Sequence, residues 1–308
     1  MSRRCYLGGL LTLALLVSVF SDVVRAEEPA AESAAPAEAA KFDLKYKFQP
    51  GEVLATEVVH RASVRTTIQG TTQTAETQSR SVKSWKVEGV EAGAVTFTHM
   101  VDNIEMWQRN SGRQEIRYNS QTDDEVPPGY EEVAKSVGVP LSVVTMDERG
   151  TIVSRKETRA QPMGVSTQMT MPLPDHPIAV GESWSTPIDI DVTLTDGTMK
   201  KVQTRQKFTL ESVADDVAHV KIDSQVLTPI HDPSIEAQLV QRMSSGWVKF
   251  DISAGRVLSQ QLDLDKHVIG FNGPTSSMHY VTRFTEKLLS EAEAGEQAAK
   301  RSGDEIRK

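Results

Sequence analysis

Lys41-Phe42-Asp43-Leu44-Lys45-Tyr46-Lys47-Phe48-Gln49-Pro50-Gly51 alternates large apolar residues with charged ones. Successive side chains of an extended chain point to opposite faces, so a period of two predicts a β-strand with one buried and one wet face. Pro50-Gly51 ends the run, as such a pair does. The same phase recurs at His60, Ala62, Val64, Thr66 and Ile68, and at Val95, Phe97, His99 and Val101. It returns at Ile188, Ile190, Val192 and Leu194, where Asp196-Gly197 then predicts a tight hairpin with two residues at positive φ. Phe208 and Leu210, then Val220, Ile222 and Val226, then Leu258, Leu262, Leu264 and Val268 continue it. Repeated alternation with turn residues between the runs predicts antiparallel sheet with one face on a core.

Two inner segments read as helical. Tyr130 to Val137 follows Pro127-Pro128-Gly129, and Ser234 to Met243 follows Asp232-Pro233, a pair suited to a helix start. Ile235, Leu239 and Met243 form one stripe at i, i+4 and i+8. Thr66 to Ser81 is the odd stretch, with almost no large apolar residue. A long hairpin in solvent, a surface loop and the wall of a polar cleft would all read this way.

The order strands, helix, hairpin occurs twice. Gly51-Glu52 opens the first half and Gly181-Glu182-Ser183-Trp184 the second; Trp85 to Val90 aligns with Phe208 to Val213. The closing hairpins turn at Asp147-Glu148-Arg149-Gly150 and at Asp251-Ile252-Ser253-Ala254-Gly255. Residues 41–160 and 175–289 are therefore expected to be two similar halves of one β-rich domain, 41–289, because a shared order is harder to match by chance than one motif.

The N-terminal region indicates compartment. Arg3 and Arg4 precede an uncharged apolar run from Tyr6 to Phe20, and Val24-Arg25-Ala26 suits signal peptidase, so residues 1–26 read as a signal peptide. The run is short of the roughly 20 residues of a membrane span, and no transmembrane segment is expected after cleavage. Ser2-Arg3-Arg4 loosely resembles a twin-arginine signal, but the run is more hydrophobic than such signals. The single cysteine, Cys5, precedes the run rather than following it, so no lipid anchor is expected, and the mature chain has no disulfide or thiol. Residues 27–40 are Ala, Glu, Pro and Ser and read as a disordered leader; 290–308 reads as a charged, flexible tail. The formal charge is −8; the signal holds three arginines and one aspartate, which leaves about −10 and opposes nucleic-acid binding. The destination is the periplasm or the exterior.

No residue stands out as catalytic, cofactor-binding or metal-binding. The seven histidines (His60, His99, His176, His219, His231, His267 and His279) form no close pair at ligand spacing. His60 and His99 lie in apolar phases, where buried, hydrogen-bonded structural histidines are expected unless they meet across a sheet. Asp189 with Asp191, and Asp263 with Asp265, alternate with apolar residues and so lie on wet faces. There is no GxSxG, GxxxxGK[ST] or GxGxxG. Ser244-Ser245-Gly246 reads as a helix end capped by Gly246. Trp85, Trp107, Trp184 and Trp247 read as core packing at strand starts or ends rather than a binding platform.

Tyr46 to Glu52, Gly181-Glu182-Ser183-Trp184 and Phe250-Asp251-Ile252-Ser253-Ala254-Gly255-Arg256-Val257 together resemble a family of exported, β-rich bacterial proteins of unknown function. The resemblance spans roughly 41–289 and rests on turns, so it implies fold and no site residues. The expectation is a mainly β protein: an antiparallel curved sheet or open barrel or sandwich of two similar halves, with short helices. Its expected role is a non-enzymatic envelope protein that binds an apolar ligand or an envelope protein on the sheet, with no cofactor. A structural component of the cell surface is the alternative, and an envelope enzyme the third reading.

Overall fold

The computed structural model describes residues 40–159 and 170–295. The expected signal peptide, nearly all of the expected leader and most of the expected tail lie outside them. Within 40–295 the first half supplies β1 (Lys41–Phe42), β2 (Val53–Ile68), β3 (Thr71–Glu91), β4 (Ala94–Asn110) and β5 (Ile116–Asn119). Helix α1 (Glu131–Ser136), β6 (Pro140–Met146) and β7 (Ile152–Glu157) complete it. The second half has β8 (Ile178–Ala179), β9 (Ser183–Thr193), β10 (Met199–Ala214), β11 (Val217–Val226) and α2 (Pro233–Leu239). A 3-10 turn at Val240–Arg242 leads to β12 (Ser245–Asp251), β13 (Arg256–Ile269) and β14 (Ser277–Leu288).

The main sheet is antiparallel, in the order β7-β6-β4-β3-β2-β14-β13-β12-β11-β10-β9, with β5 on β4. It is mainly β and open, since β7 and β9 do not pair. It must also curve. Val144 of β6 and Phe208 of β10 share one buried core. Eight strand steps separate those strands, about 38 Å on a flat sheet at about 4.8 Å per step. The two wings therefore fold toward each other around their common contents.

Those contents include the stretch that opened the sequence reading. Phe42, Leu44, Tyr46 and Phe48 face the core, as their alternation requires, but only Lys41–Phe42 is a strand, paired with β8. Residues 43–48 are not a strand of the main sheet; they run through its concavity as a plug. The reason lies in their partners. Tyr46 N–H donates to Glu148 O at 2.8 Å and Lys47 N–H to Gly255 O at 3.0 Å, so two hairpin turns, not a neighbouring strand, satisfy the backbone. The approach at Gly255 is close: a Cβ there would lie 2.6 Å from the Lys47 backbone nitrogen.

The polar Thr66–Ser81 stretch is the β2–β3 hairpin, paired residue by residue and turned at Gln69-Gly70, both at positive φ. At Asp196-Gly197, by contrast, only Gly197 has positive φ, and the Asp196 carboxylate instead accepts Thr198 N–H at 2.9 Å. Gly246 is not a helix cap. It lies in β12, where a Cβ would sit 1.9 Å from Gln261 O, so the backbone approach to β13 explains the glycine. Trp85 is well inside β3 rather than at an end, and Val226 is exposed. Helix α2 buries Ile235 and Leu239 as its stripe requires, and Asp232 caps it through Ser234 N–H at 2.8 Å.

Candidate functional site

A cavity lies between the plug and the inner sheet face. The plug supplies Tyr46 and Phe48, whose rings stack 6.0 Å apart, and the chain at Thr170-Met171 closes one side. Leu54 and Thr56 of β2, Trp85 of β3, Arg256, Val257 and Gln260 of β13, and Glu286 and Leu288 of β14 form the rest. Tyr46 is held rigidly. Its hydroxyl donates to Met171 O and accepts Met171 N–H, both at 3.1 Å, and burial pushes its pKa up. Trp85 stacks on Phe97 at 4.4 Å. Arg256 is tied to Glu52 at 2.6 Å, and the Gln260 amide donates to Glu286. The wall is thus largely aromatic and aliphatic, with its polar groups already paired. The free space is about 50 Å³, room for about three or four water molecules at ~15 Å³ each. An alkyl stretch of about four carbons fits as the cavity stands, and a longer chain has to run out through its open side or displace the plug.

Next to this cavity the inner face turns polar. Thr56 lies directly opposite Lys83 on β3, and Lys83 is two residues from Trp85 in the same phase. Trp85 faces His99 on β4, His99 faces Ser142 on β6, and Val144, two residues on, faces Arg155 on β7. Burial is the main force on His99: it pushes the pKa down to about 4, helped by the positive charges of Lys83 and Arg155. Burial also lowers Lys83, against the pull of Glu286, and it lowers His60, again with help from Lys83. Among the described residues three buried polar atoms here make no hydrogen bond: His99 Nδ1, Ser142 Oγ and Arg155 Nε. Buried polar groups normally find partners, so three neighbouring exceptions mark an unfilled requirement.

His60 and His99 do not meet. Strand β3 lies between theirs, and His60 faces Ser79 while His99 faces Trp85. His99 is buried, as its phase implies, but its Nδ1 is unbonded. His267 and His279 do come together across β13 and β14, at 5.7 Å, and the Asp265 carboxylate accepts a hydrogen bond from His279 Nε2–H at 2.8 Å. They line an open hollow of about 370 Å³ on the outer face with Arg65, Thr67 and Ser277. Among the described residues no group of three or more His, Cys, Asp or Glu is placed to hold a metal ion. Asp189 and Asp191 are exposed, and Asp263 is bound to Arg283 at 2.6 Å. Sequence reasoning missed Lys83, Ser142 and Arg155. For the first two a signal exists: each is a polar residue in the core-facing phase, Lys83-Trp85-Val87 and Ser142-Val144-Met146.

Residues 163–265 match a family of unknown function, DUF6263. No curated protein matches the chain. A lipovitellin structure on lipid–protein interactions is 12% identical, with a TM-score of 0.42 over 79% of this chain and 26% of that one. DynF from the dynemicin biosynthesis pathway of Micromonospora chersina is 7% identical, with a TM-score of 0.24 over 86% of this chain and 95% of its own. OpdQ of Pseudomonas aeruginosa is 9% identical, with a TM-score of 0.21 over 77% and 99%. No helix among the described residues is long and apolar enough to cross a membrane.

Proposed function

We propose that this chain is a non-enzymatic, exported protein of the bacterial cell envelope that binds a slender apolar ligand between its plug and its inner sheet face. The supporting observation is the cavity itself. It is walled by Tyr46, Phe48, Leu54, Trp85 and Leu288, and its polar neighbours are satisfied by one another. An apolar chain there loses contact with water and displaces only poorly held solvent. Export is supported by the Arg3–Ala26 pattern and the cysteine-free remainder.

Calorimetric titration of residues 27–308 with dodecanol, a neutral single-chain probe, tests the binding. Saturable binding near one equivalent is expected, and Leu54→Phe, which fills the cavity, should weaken it at least tenfold. Absence of saturable binding, or binding indifferent to Leu54→Phe, overturns the reading.

A further inference from the structure

We propose that the polar band beside the cavity receives the anionic head, a carboxylate or phosphate monoester, of the ligand whose chain occupies the cavity; this deepens the binding reading above and rests on it. Four observations carry it. The band is continuous with the cavity, because Thr56, a lining residue, pairs with Lys83. It holds two cationic side chains, Lys83 and Arg155, close enough to His99 for both to act on it. Among the described residues Lys83 has no hydrogen bond or ion pair, and Glu286, whose charge acts on it, is engaged by Gln260. Among the described residues Arg155 has only a loose contact with the exposed Glu157, at 3.9 Å.

The unbonded atoms indicate the sign of the occupant. Arg155 Nε is a donor only, Ser142 Oγ donates or accepts, and the neutral His99 ring can present Nδ1 as a donor. Donors and positive charge left unpaired in a partly dry site match an acceptor-rich anion, and hydrogen bonds to a charged group are stronger than neutral ones. A cationic head would meet Lys83 and Arg155 and be repelled. A neutral hydroxyl would leave most of the donors unpaired.

The test compares dodecanoate, dodecyl phosphate and dodecanol, each below its micelle concentration, against residues 27–308 by calorimetry. Both anions should bind at least tenfold more tightly than the alcohol. Lys83→Met keeps the apolar stem and removes the charge, and Arg155→Gln removes the second charge. Each should cut the preference for anion over alcohol about tenfold and leave dodecanol affinity unchanged, which also shows that the variant is folded. A preference for only one of the two anions identifies the head the site is built for. If dodecanol and the anions bind equally in the wild type, or if neither variant alters the preference, the head-group inference is wrong and the cavity reading stands. If none of the three binds, the cavity reading fails as well.

Discussion

Acid should unfold this protein through His99 before most carboxylates contribute. The imidazole is 4% exposed, and its pKa falls from an ordinary 6.5 to about 4. Between those values the unfolded chain takes up a proton that the folded chain refuses. Acidification through that window therefore favours unfolding. At about 1.4 kcal/mol per pH unit the loss between pH 7 and pH 4 approaches 3 kcal/mol, a large share of a typical domain stability of about 5–15 kcal/mol. Carboxylates with lowered pKa, such as Asp251 and Asp263, contribute stability that is present above about pH 4 and lost below it, so they act mainly outside this window. His60 titrates in the same direction as His99, and a difference measurement removes it. Urea unfolding of the wild type and of His99→Gln at pH 7, 5.5 and 4 gives that difference. The wild type should lose about 3 kcal/mol more than the variant between the two extremes. Parallel pH curves for the two proteins would refute the assignment of a dry, neutral His99.

Gly246→Ala should cost about 3 kcal/mol or more, because the new methyl meets the Gln261 carbonyl rather than a movable side chain; a melting curve close to wild type sinks this explanation of the glycine. Phe208→Ala should cost about 3–5 kcal/mol, as the ring is fully buried against Trp184. Asp251→Ala should cost less, about 0.5–2 kcal/mol, since the Ser253 hydroxyl and the Ala254 N–H lose a partner; chemical denaturation of both variants checks the order. Mass spectrometry of the envelope fraction should find a mature chain starting at Glu27, and a chain that still begins at Met1 contradicts the export proposal.

Alternation was the most legible feature of the sequence. It located the strands of both halves because one face of the sheet is dry and the other wet, so period two is written into the residues. What alternation cannot carry is a partner. Residues 43–48 continue the phase of a strand, yet two turns more than 100 residues apart hold the backbone at Tyr46 and Lys47. Gly246 was misread for a similar reason: a glycine signals an unusual backbone need without saying whether that need is a turn or a close neighbour. The cavity was anticipated only as a place, the inner face of a curved sheet. Its polar rim was missed because neither Lys83 nor Ser142 was singled out. The phase of Lys83 with Trp85 and Val87 is what sets it apart.

The order of strand pairing bears on the origin of the fold. Pairing runs β2-β3-β4-β6-β7 in the first half and β9-β10-β11-β12-β13 in the second; β5 and a short helix lie between β4 and β6, and a short helix lies between β11 and β12. Gly51 N–H donates to Val87 O and Val87 N–H to Glu52 O; Gly181 N–H donates to Leu210 O and Leu210 N–H to Glu182 O. The Glu52 carboxylate accepts Gln49 N–H as that of Glu182 accepts Ala179 N–H. These clamps bring Trp85 and Phe208, each two residues before the clamped position, into one shared core, with Phe97 and Trp184 stacked on them. We propose on this basis that residues 41–160 and 175–289 are copies. Strands β5 and β14 then have no counterpart, and the position of β14 explains its presence. It pairs with β13 on one side and β2 on the other, so it joins the last strand of one half to the first of the other. Without it each half would present a bare edge, the liability that sheet proteins must cover. The two junctions between halves, β14 and the plug, are also what border the cavity through Glu286, Leu288, Tyr46 and Phe48. A binding site at such a seam is where one copy's geometry cannot be repeated by the other, and so where a duplicated fold has room for a single ligand.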